Sequence, residues 1–274
     1  KTWPSASLSL DAAGNLVLDM RYCGKEASSL EVLRGMPLQK LIIRQCGMIT
    51  DISPLKGMPL KELYLADTSV TDLESLRGMP LESCTVVGTA GWRLKVADLS
   101  PLKGMPLRSL TISFVEVSDI SSLNGLPLTS LSLINMKITD LAPLKGLHLT
   151  FLNLYRTRVA DLSLLKGMPL NQLILESSQV SDLSPLAQMP LVELDLTNCK
   201  NLSSLQPLKG MKLTSLKLMA SAVTDISPLK NMSLNTLSVT PYNITNGWET
   251  IREMKTRPTV IVPPPVLGLQ AVKL

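Results

Sequence analysis

Carboxylates that gather in one place are the raw material of acid/base catalysis and of cation binding, and Glu176, Glu193 and Asp195 form such a group. No histidine or cysteine accompanies them at a ligand spacing, so they predict a solvated acidic patch that steers a basic partner. The cysteines Cys23, Cys46, Cys84 and Cys199 follow no zinc pattern. Four buried thiols are the default expectation, with a Cys23–Cys46 disulfide as the alternative. The single histidine, His148, stands where a proline otherwise recurs and reads as structural. A nucleophile with its base, a glycine-rich phosphate loop and a metal spacing are all missing from the sequence, which predicts a chain that is not an enzyme and takes no cofactor.

What positions these residues is a repeat. Leu60-Lys61-Glu62-Leu63-Tyr64-Leu65 runs through Val70-Thr71-Asp72-Leu73 to Gly78-Met79-Pro80, and Leu81 restarts the pattern. Further units open at Leu38, Leu107, Leu128, Leu149, Leu170, Leu191, Leu213 and Leu234, mostly 21 residues apart, giving about eleven coils with the degenerate first one. The L-x-x-L-x-L half alternates apolar and variable positions as a strand does, so stacked units share one parallel sheet. The other half, as in Thr50-Asp51-Ile52-Ser53-Pro54-Leu55-Lys56-Gly57, has the makings of a single helical turn: a Ser or Asp cap, Pro at the first helical position and Gly at its end. So short a unit leaves room only for 3-10 turns and extended backbone on the return. With strands about 4.8 Å apart, the array extends roughly 50 Å.

Composition agrees. Hydrophobic residues make up 45% of the 274, but aromatic ones only 3%, so leucine and methionine must fill the interior. Both ends depart from the repeat, as terminal coils must if their interiors are to be covered. Leu8-Ser9-Leu10 and Leu16-Val17-Leu18, joined through Gly14-Asn15, predict a capping hairpin with Trp3 nearby. Trp248, Ile251 and Met254 fall on one face of a C-terminal helix, and the Val260-Ile261-Val262-Pro263-Pro264-Pro265 stretch beyond it lies extended. The whole is expected to be one domain over residues 1–274, with a cap and degenerate repeat in 1–37, regular repeats in 38–240 and a cap and tail in 241–274.

These units resemble the short bacterial leucine-rich repeats, and the Asp51-Ile52-Ser53-Pro54-Leu55 element is similar to the internalin-type coil. The phrase S-P-L-K-G-M-P-L at Ser53 to Leu60 and Ser100 to Leu107 also resembles arrays of planctomycete-type bacteria that are often appended to serine/threonine kinase domains. The resemblance covers nearly the whole chain. It implies an α/β solenoid: a right-handed curved array with a parallel concave β-sheet and a short 3-10 or extended convex side. It also implies protein binding as a class and no particular ligand. The unit from Leu81 to Pro106 departs by being longer than its neighbours.

In each strand the leucines point inward and the intervening residues face the concave side. Tyr64, Phe114, Phe151 and Tyr155 all fall on or beside that face, and with Asn153 and Arg156 they have the chemistry of interface anchors. The alternative is that they pack on one another across neighbouring coils. Phe151-Asn153-Tyr155-Arg156 is the best single patch, with Glu176, Glu193 and Asp195 in the coils that follow. Trp92, in the excursion of the long unit, is either a contact or a lid. Arg34, Lys56, Arg77, Lys103, Lys145, Lys166, Lys209 and Lys230 recur before the Gly and read as solvation of the convex edge. A net charge of +5 without stacking aromatics on that side disfavours nucleic acid. No run reaches the ~18 apolar residues of a membrane span, and the chain is expected to be monomeric. A start at Lys1, with neither an initiator methionine nor a signal-like stretch, is what an excised domain or mature form shows. The expected function is recognition of a protein or peptide on the concave face. The alternatives are a sensor or scaffold region of a larger enzyme such as a kinase, and a structural spacer.

Overall fold

The two halves of the repeat fold as their periodicities demand. The computed structural model describes residues 6–23, 28–89, 91, 94–254, 256 and 258–262, and the chain divides into two compact units. The first comprises residues 1–138 with 142–148, and the second 139–141 with 149–274. In the first unit the strands are β1 (Ala6–Leu10), β2 (Leu16–Arg21), β3 (Lys40–Arg44), β4 (Glu62–Ala66), β5 (Ser83–Val87), β6 (Ser109–Ser113) and β7 (Ser130–Ile134). In the second they are β8 (Phe151–Asn153), β9 (Gln172–Ile174), β10 (Glu193–Asp195), β11 (Ser215–Lys217), β12 (Thr236–Ser238) and β13 (Thr259–Ile261), with the helix α1 (Trp248–Glu253) before the last. Within each unit strands pair in chain order, parallel throughout except for the antiparallel β1–β2 hairpin. The fold is an open, mostly parallel solenoid sheet with 3-10 returns.

Register turns the repeat into columns. Leu18, Leu41, Leu63, Cys84, Leu110 and Leu131 align in the first unit, and Leu152, Leu173, Leu194, Leu216 and Leu237 in the second. All are buried. Truncating any one leucine of such a column to alanine costs about 2–5 kcal/mol, which is why these positions hardly vary from coil to coil.

The returns are single 3-10 turns such as Ser53–Leu55 and Ser100–Leu102. Their capping corrects the sequence expectation by one position. The N-cap is Ile52 or Leu99, whose apolar side chain cannot cap, and proline is the second helical residue. The cap comes from the aspartate before it: Asp98 accepts the Ser100 N–H at 2.7 Å and the Ser100 hydroxyl at 2.7 Å, and Asp51, Asp119, Asp161 and Asp182 do the same for the serines two residues on. The hydroxyl and amide donors of Ser100 and Ser184 hold the carboxyls of Asp98 and Asp182 below the usual range.

Each return leaves through a residue in the left-handed region, normally glycine, as with Gly78 at φ +73°. Gln188 occupies the same place at φ 66°. A Cβ at Gly78 would meet nothing within 4 Å, so Gly78→Ala isolates the backbone cost. We expect it to lower stability by about 1 kcal/mol, and Gln188→Gly to raise it by about 0.5–1 kcal/mol, in urea unfolding. Equal midpoints for both variants and wild type would remove φ strain as the reason for the glycines.

The strands of the second unit are three residues long against five in the regular coils of the first. Just past several of these strands the buried column carries hydrogen-bonding side chains. Thr157 donates to the Leu154 carbonyl at 2.8 Å, the Cys199 thiol to the Leu175 carbonyl at 3.2 Å, and Ser221 to the Leu218 carbonyl at 2.7 Å. Carbonyls taken by these side chains are lost to the sheet ladder. In the first unit the same column holds Thr68, Val115 and Met136, and Cys23 with Cys46, so a buried hydroxyl there also accompanies the five-residue β4.

Those two cysteines form a disulfide with Cα atoms 4.9 Å apart, which overturns the default of four free thiols. They occupy the same column in adjacent coils, the closest approach that parallel stacking allows. Cys84 and Cys199 remain buried thiols, and burial pushes Cys84 up to about 12.

The predicted hairpin and C-terminal helix form. The β1–β2 hairpin turns through Gly14 at φ +79°, with the Asp11 carboxylate accepting the N–H groups of Ala13 and Asn15. At the other end Met254 is buried, Trp248 and Ile251 are half-buried, and Trp248 Nε1 donates to the Ile244 carbonyl. The extended stretch after the helix is β13; Pro263 to Pro265 and Trp3 lie outside the described residues.

Candidate binding face

Alternation along each strand leaves one column in two on the outward face of the sheet. In the first unit Asp19, Ile42, Tyr64, Thr85, Thr111 and Ser132 stand side by side, and in the second Asn153, Ile174, Asp195, Lys217 and Ser238. Where the inward columns are nearly all leucine, these range over acid, base, amide, hydroxyl, aliphatic and aromatic. Most of them are exposed or half-buried, whereas Ser132, Asp195 and Ser238 are buried.

In the first unit Tyr64 has Ile42 and Thr85 as its register neighbours, so no cross-coil aromatic pair forms there. Its ring is covered instead by the Arg44 guanidinium, 4.2 Å from the centroid. Beside it Lys40 bridges to Glu62 at 2.6 Å. Phe114 does not lie on the strand. It follows β6 at φ 52°, in the sharp turn where the sheet ends, and is half-buried. Trp92 lies outside the described residues.

In the second unit the residues singled out from sequence lie close together along one strand and its exit. Phe151, Asn153 and Tyr155 alternate outward and are half-buried, and Arg156 follows, exposed, with its guanidinium 5.2 Å from the Tyr155 ring. Asn153 holds the exit from the strand by accepting the Tyr155 N–H at 2.9 Å. The strand exit at Tyr155 is therefore held by a side-chain to backbone bond.

The carboxylates behave differently from a solvated patch. Glu193 is exposed, but Asp195 is 7% exposed and bound to Lys217 Nζ at 3.0 Å, while also accepting the Thr197 N–H. That bond raises the Lys217 ammonium above its ordinary range. Glu176 is half-buried and forms no ion pair among the described residues; burial, with the Asp195 charge second, pushes its carboxyl up, against the weaker opposing pull of Lys217 and Arg156. Lys217 and Arg44 thus contact Asp195 and the Tyr64 ring on this face, contacts that side-chain type alone does not mark. Their signal is spacing, since Asp195 and Lys217 stand 22 residues apart, one coil on in the same column.

The raised Glu176 carboxyl has a testable sign. A folded-state value above the unfolded one means the protonated form is favoured in the fold, so this contribution is complete at low pH and lost as pH rises through the raised value. Glu176→Gln should therefore be more thermostable than wild type at pH 7 and no different below about pH 4. A stability difference that does not change with pH would dismiss the desolvated carboxyl as its source.

Among the described residues no group of three or more His, Cys, Asp or Glu could hold a metal ion, and no helix is long and apolar enough to cross a membrane. On the return side Arg34 and Arg77 pair with Glu31 and Glu74 at 2.7 and 2.6 Å, and Lys230 with Glu253 at 3.1 Å, so part of the basic stripe is neutralised where it stands.

No family model and no curated protein matches the chain. Solved structures do. An internalin (inlF) from Listeria monocytogenes is 28% identical with a TM-score of 0.73, over 86% of this chain and 72% of that one. An internalin C2 (inlC2) from the same species matches at 24% identity and TM-score 0.47, over 82% and 80%, and a Leptospira interrogans leucine-rich-repeat protein at 18% and 0.38, over 89% of each. The inlF match, the 21-residue unit and the 3-10 returns agree: the chain is a leucine-rich-repeat protein of the bacterial type.

Proposed function

We propose that this chain is a non-enzymatic recognition module that binds a protein or peptide on its outward sheet face. The anchors are Phe151, Asn153, Tyr155 and Arg156, with Tyr64 and Phe114 in the first unit. Glu176, Glu193 and Asp195 select for a basic side chain on the partner. The observation that carries this reading is the contrast between columns: inward ones are uniform, while outward ones set aromatic rings under arginine at Tyr64 and Tyr155 and leave Glu176 without a counterion. A lysine or arginine brought to Glu176 would offset its desolvation, and half-buried tyrosines offer apolar area at low entropic cost. The first unit's Tyr64 and the second unit's patch are assigned to this face separately.

The test is affinity capture from the native source with wild type and the triple variant Tyr64→Ala, Phe151→Ala, Tyr155→Ala in parallel. The variant should lose partners that wild type retains, and for any retained partner Glu176→Gln should weaken binding more at low salt than at high salt. Identical partners with identical affinities would mean that recognition lies elsewhere.

A further inference from the structure

Among the described residues, the first unit ends on apolar side chains that stay exposed. Among them too, β1 is an edge strand whose one partner is β2. Leu8 pairs with Leu18 and Leu10 with Leu16, so both leucines point to the face that carries the leucine core, yet they are 55% and 66% exposed. Val32 is the middle residue of the first return, the place that buried Pro54 and Pro101 take in later coils, and it is 64% exposed. At the C-terminal end of the second unit α1 packs against the last return, Ile244 and Met254 are buried and Glu253 bridges to Lys230, while Ile261 and Val262 are 44% exposed.

The backbone of β1 is as available as its leucines. Asp11 donates its N–H to the Asn15 carbonyl at 3.0 Å. Residues of an antiparallel strand turn their backbone groups alternately to either side, so Ser7, Ser9 and Asp11 serve β2 while Ala6, Leu8 and Leu10 turn theirs to the open edge. The same three residues therefore present apolar side chains and unpaired N–H and C=O groups. Exposed edges are ordinarily blunted by lysine, proline or a bulge, and Ala6-Ser7-Leu8-Ser9-Leu10 has none of these.

We propose that β1 is the interface of a homodimer, pairing antiparallel with β1 of a second copy about a twofold axis at Leu8. This edge complements itself. Leu8 meets Leu8, Ala6 meets Leu10 and Ser7 meets Ser9, so apolar faces apolar and hydroxyl faces hydroxyl. The strand carries no charge, so the axis brings no like charges opposite one another. Three hydrogen-bonded pairs supply about six backbone bonds. The area closed by two short strands and their leucines is on the order of 1,000 Å², at the low end for specific association, which makes the dimer weak and its dissociation constant micromolar or above. The monomer expected from sequence is its dilute form.

Sedimentation velocity of the chain between about 1 and 500 µM tests this, a range chosen to straddle such a constant. Wild type should move toward twice the monomer mass, Leu8→Lys with Leu10→Lys should stay monomeric, and Val192→Lys, at an exposed apolar position outside the edge, should follow wild type. Should the double-lysine variant lose its circular dichroism signal, Leu8→Cys decides. A short bismaleimide must then link two copies covalently while Val192→Cys under the same conditions gives monomer. A wild type that is monomeric throughout, a dimer indifferent to the lysines, or open-ended assembly would each overturn the proposal.

Discussion

Gly247→Ala is expected to be among the most damaging single-methyl changes in this protein, lowering the stability of the C-terminal cap by about 3 kcal/mol or more. Two independent costs meet at this residue. Gly247 has φ +94°, outside what L side chains readily adopt, which alone costs about 1–3 kcal/mol. A Cβ there would also lie 2.3 Å from the backbone nitrogen of Ser227 and 2.8 Å from the carbonyl carbon of Ile226. Neither atom can move without dragging the 3-10 turn Ser227–Leu229, whose Leu229 is fully buried. Gly78 makes the comparison sharp, because it pays a φ penalty with open space around it, whereas Gly247 is wedged against main chain.

The loss should be local before it is global. Each coil of a solenoid contacts only its neighbours, so stability is close to a sum of nearest-neighbour steps. Gly247 is the N-cap of α1, and pushing it off Ser227 undocks the helix. Hydrogen exchange in Gly247→Ala should therefore rise first in residues 244–254 and in β12, with β8 to β10 following only near the melting transition. Uniform exchange across the second unit, or a melting point equal to wild type, would show that the cap tolerates the methyl group.

Much of the fold is legible in the sequence because a repeat states the same rule many times. The L-x-x-L-x-L pattern, with other apolar residues such as Cys84 at some of its positions, marks the strands from β3 to β12, and the Asp-x-Ser capping pairs mark most returns. The register of the cap, off by one at Ile52, was not legible, because Asp, Ser and Pro favour the start of a helical turn by different means and only geometry separates an N-cap from the residue before it. The buried donors Thr157, Cys199 and Ser221 are visible in the sequence, but which carbonyls they reach depends on the backbone geometry. The face was partly legible. Alternation places Phe151, Asn153 and Tyr155 outward, yet whether a carboxylate there is solvated depends on the neighbouring coil. Lys217 buries Asp195, while Glu176 has no such partner and keeps its desolvation. A residue just past the strand, such as Phe114, escapes the period-two rule because the backbone turns left-handed there.

At the opposite end, removing the Cys23–Cys46 bond is expected to cost about 3 kcal/mol, by the chain-entropy cost of closing a loop between residues 23 apart. The bond joins equivalent positions of the first two coils, so it restrains β2 against β3, and β1 is held only through β2. Both sulfurs are buried, with Cys23 at 6% and Cys46 at 1% exposure, so a reductant reaches them mainly after the end has opened. The equilibrium measurement is therefore made on Cys23→Ala with Cys46→Ala, which leaves no unpaired buried thiol or hydroxyl in their place. Its denaturant midpoint should fall below that of wild type, and adding a phosphine reductant during unfolding should lower the wild-type midpoint toward the variant while leaving the variant unchanged. Alkylation after unfolding supplies the direct count: without reductant only Cys84 and Cys199 should be modified, and with it all four cysteines. Four modified cysteines in the unreduced, unfolded chain would mean that the first two coils are held by packing alone, in which case the reductant should have no effect on stability.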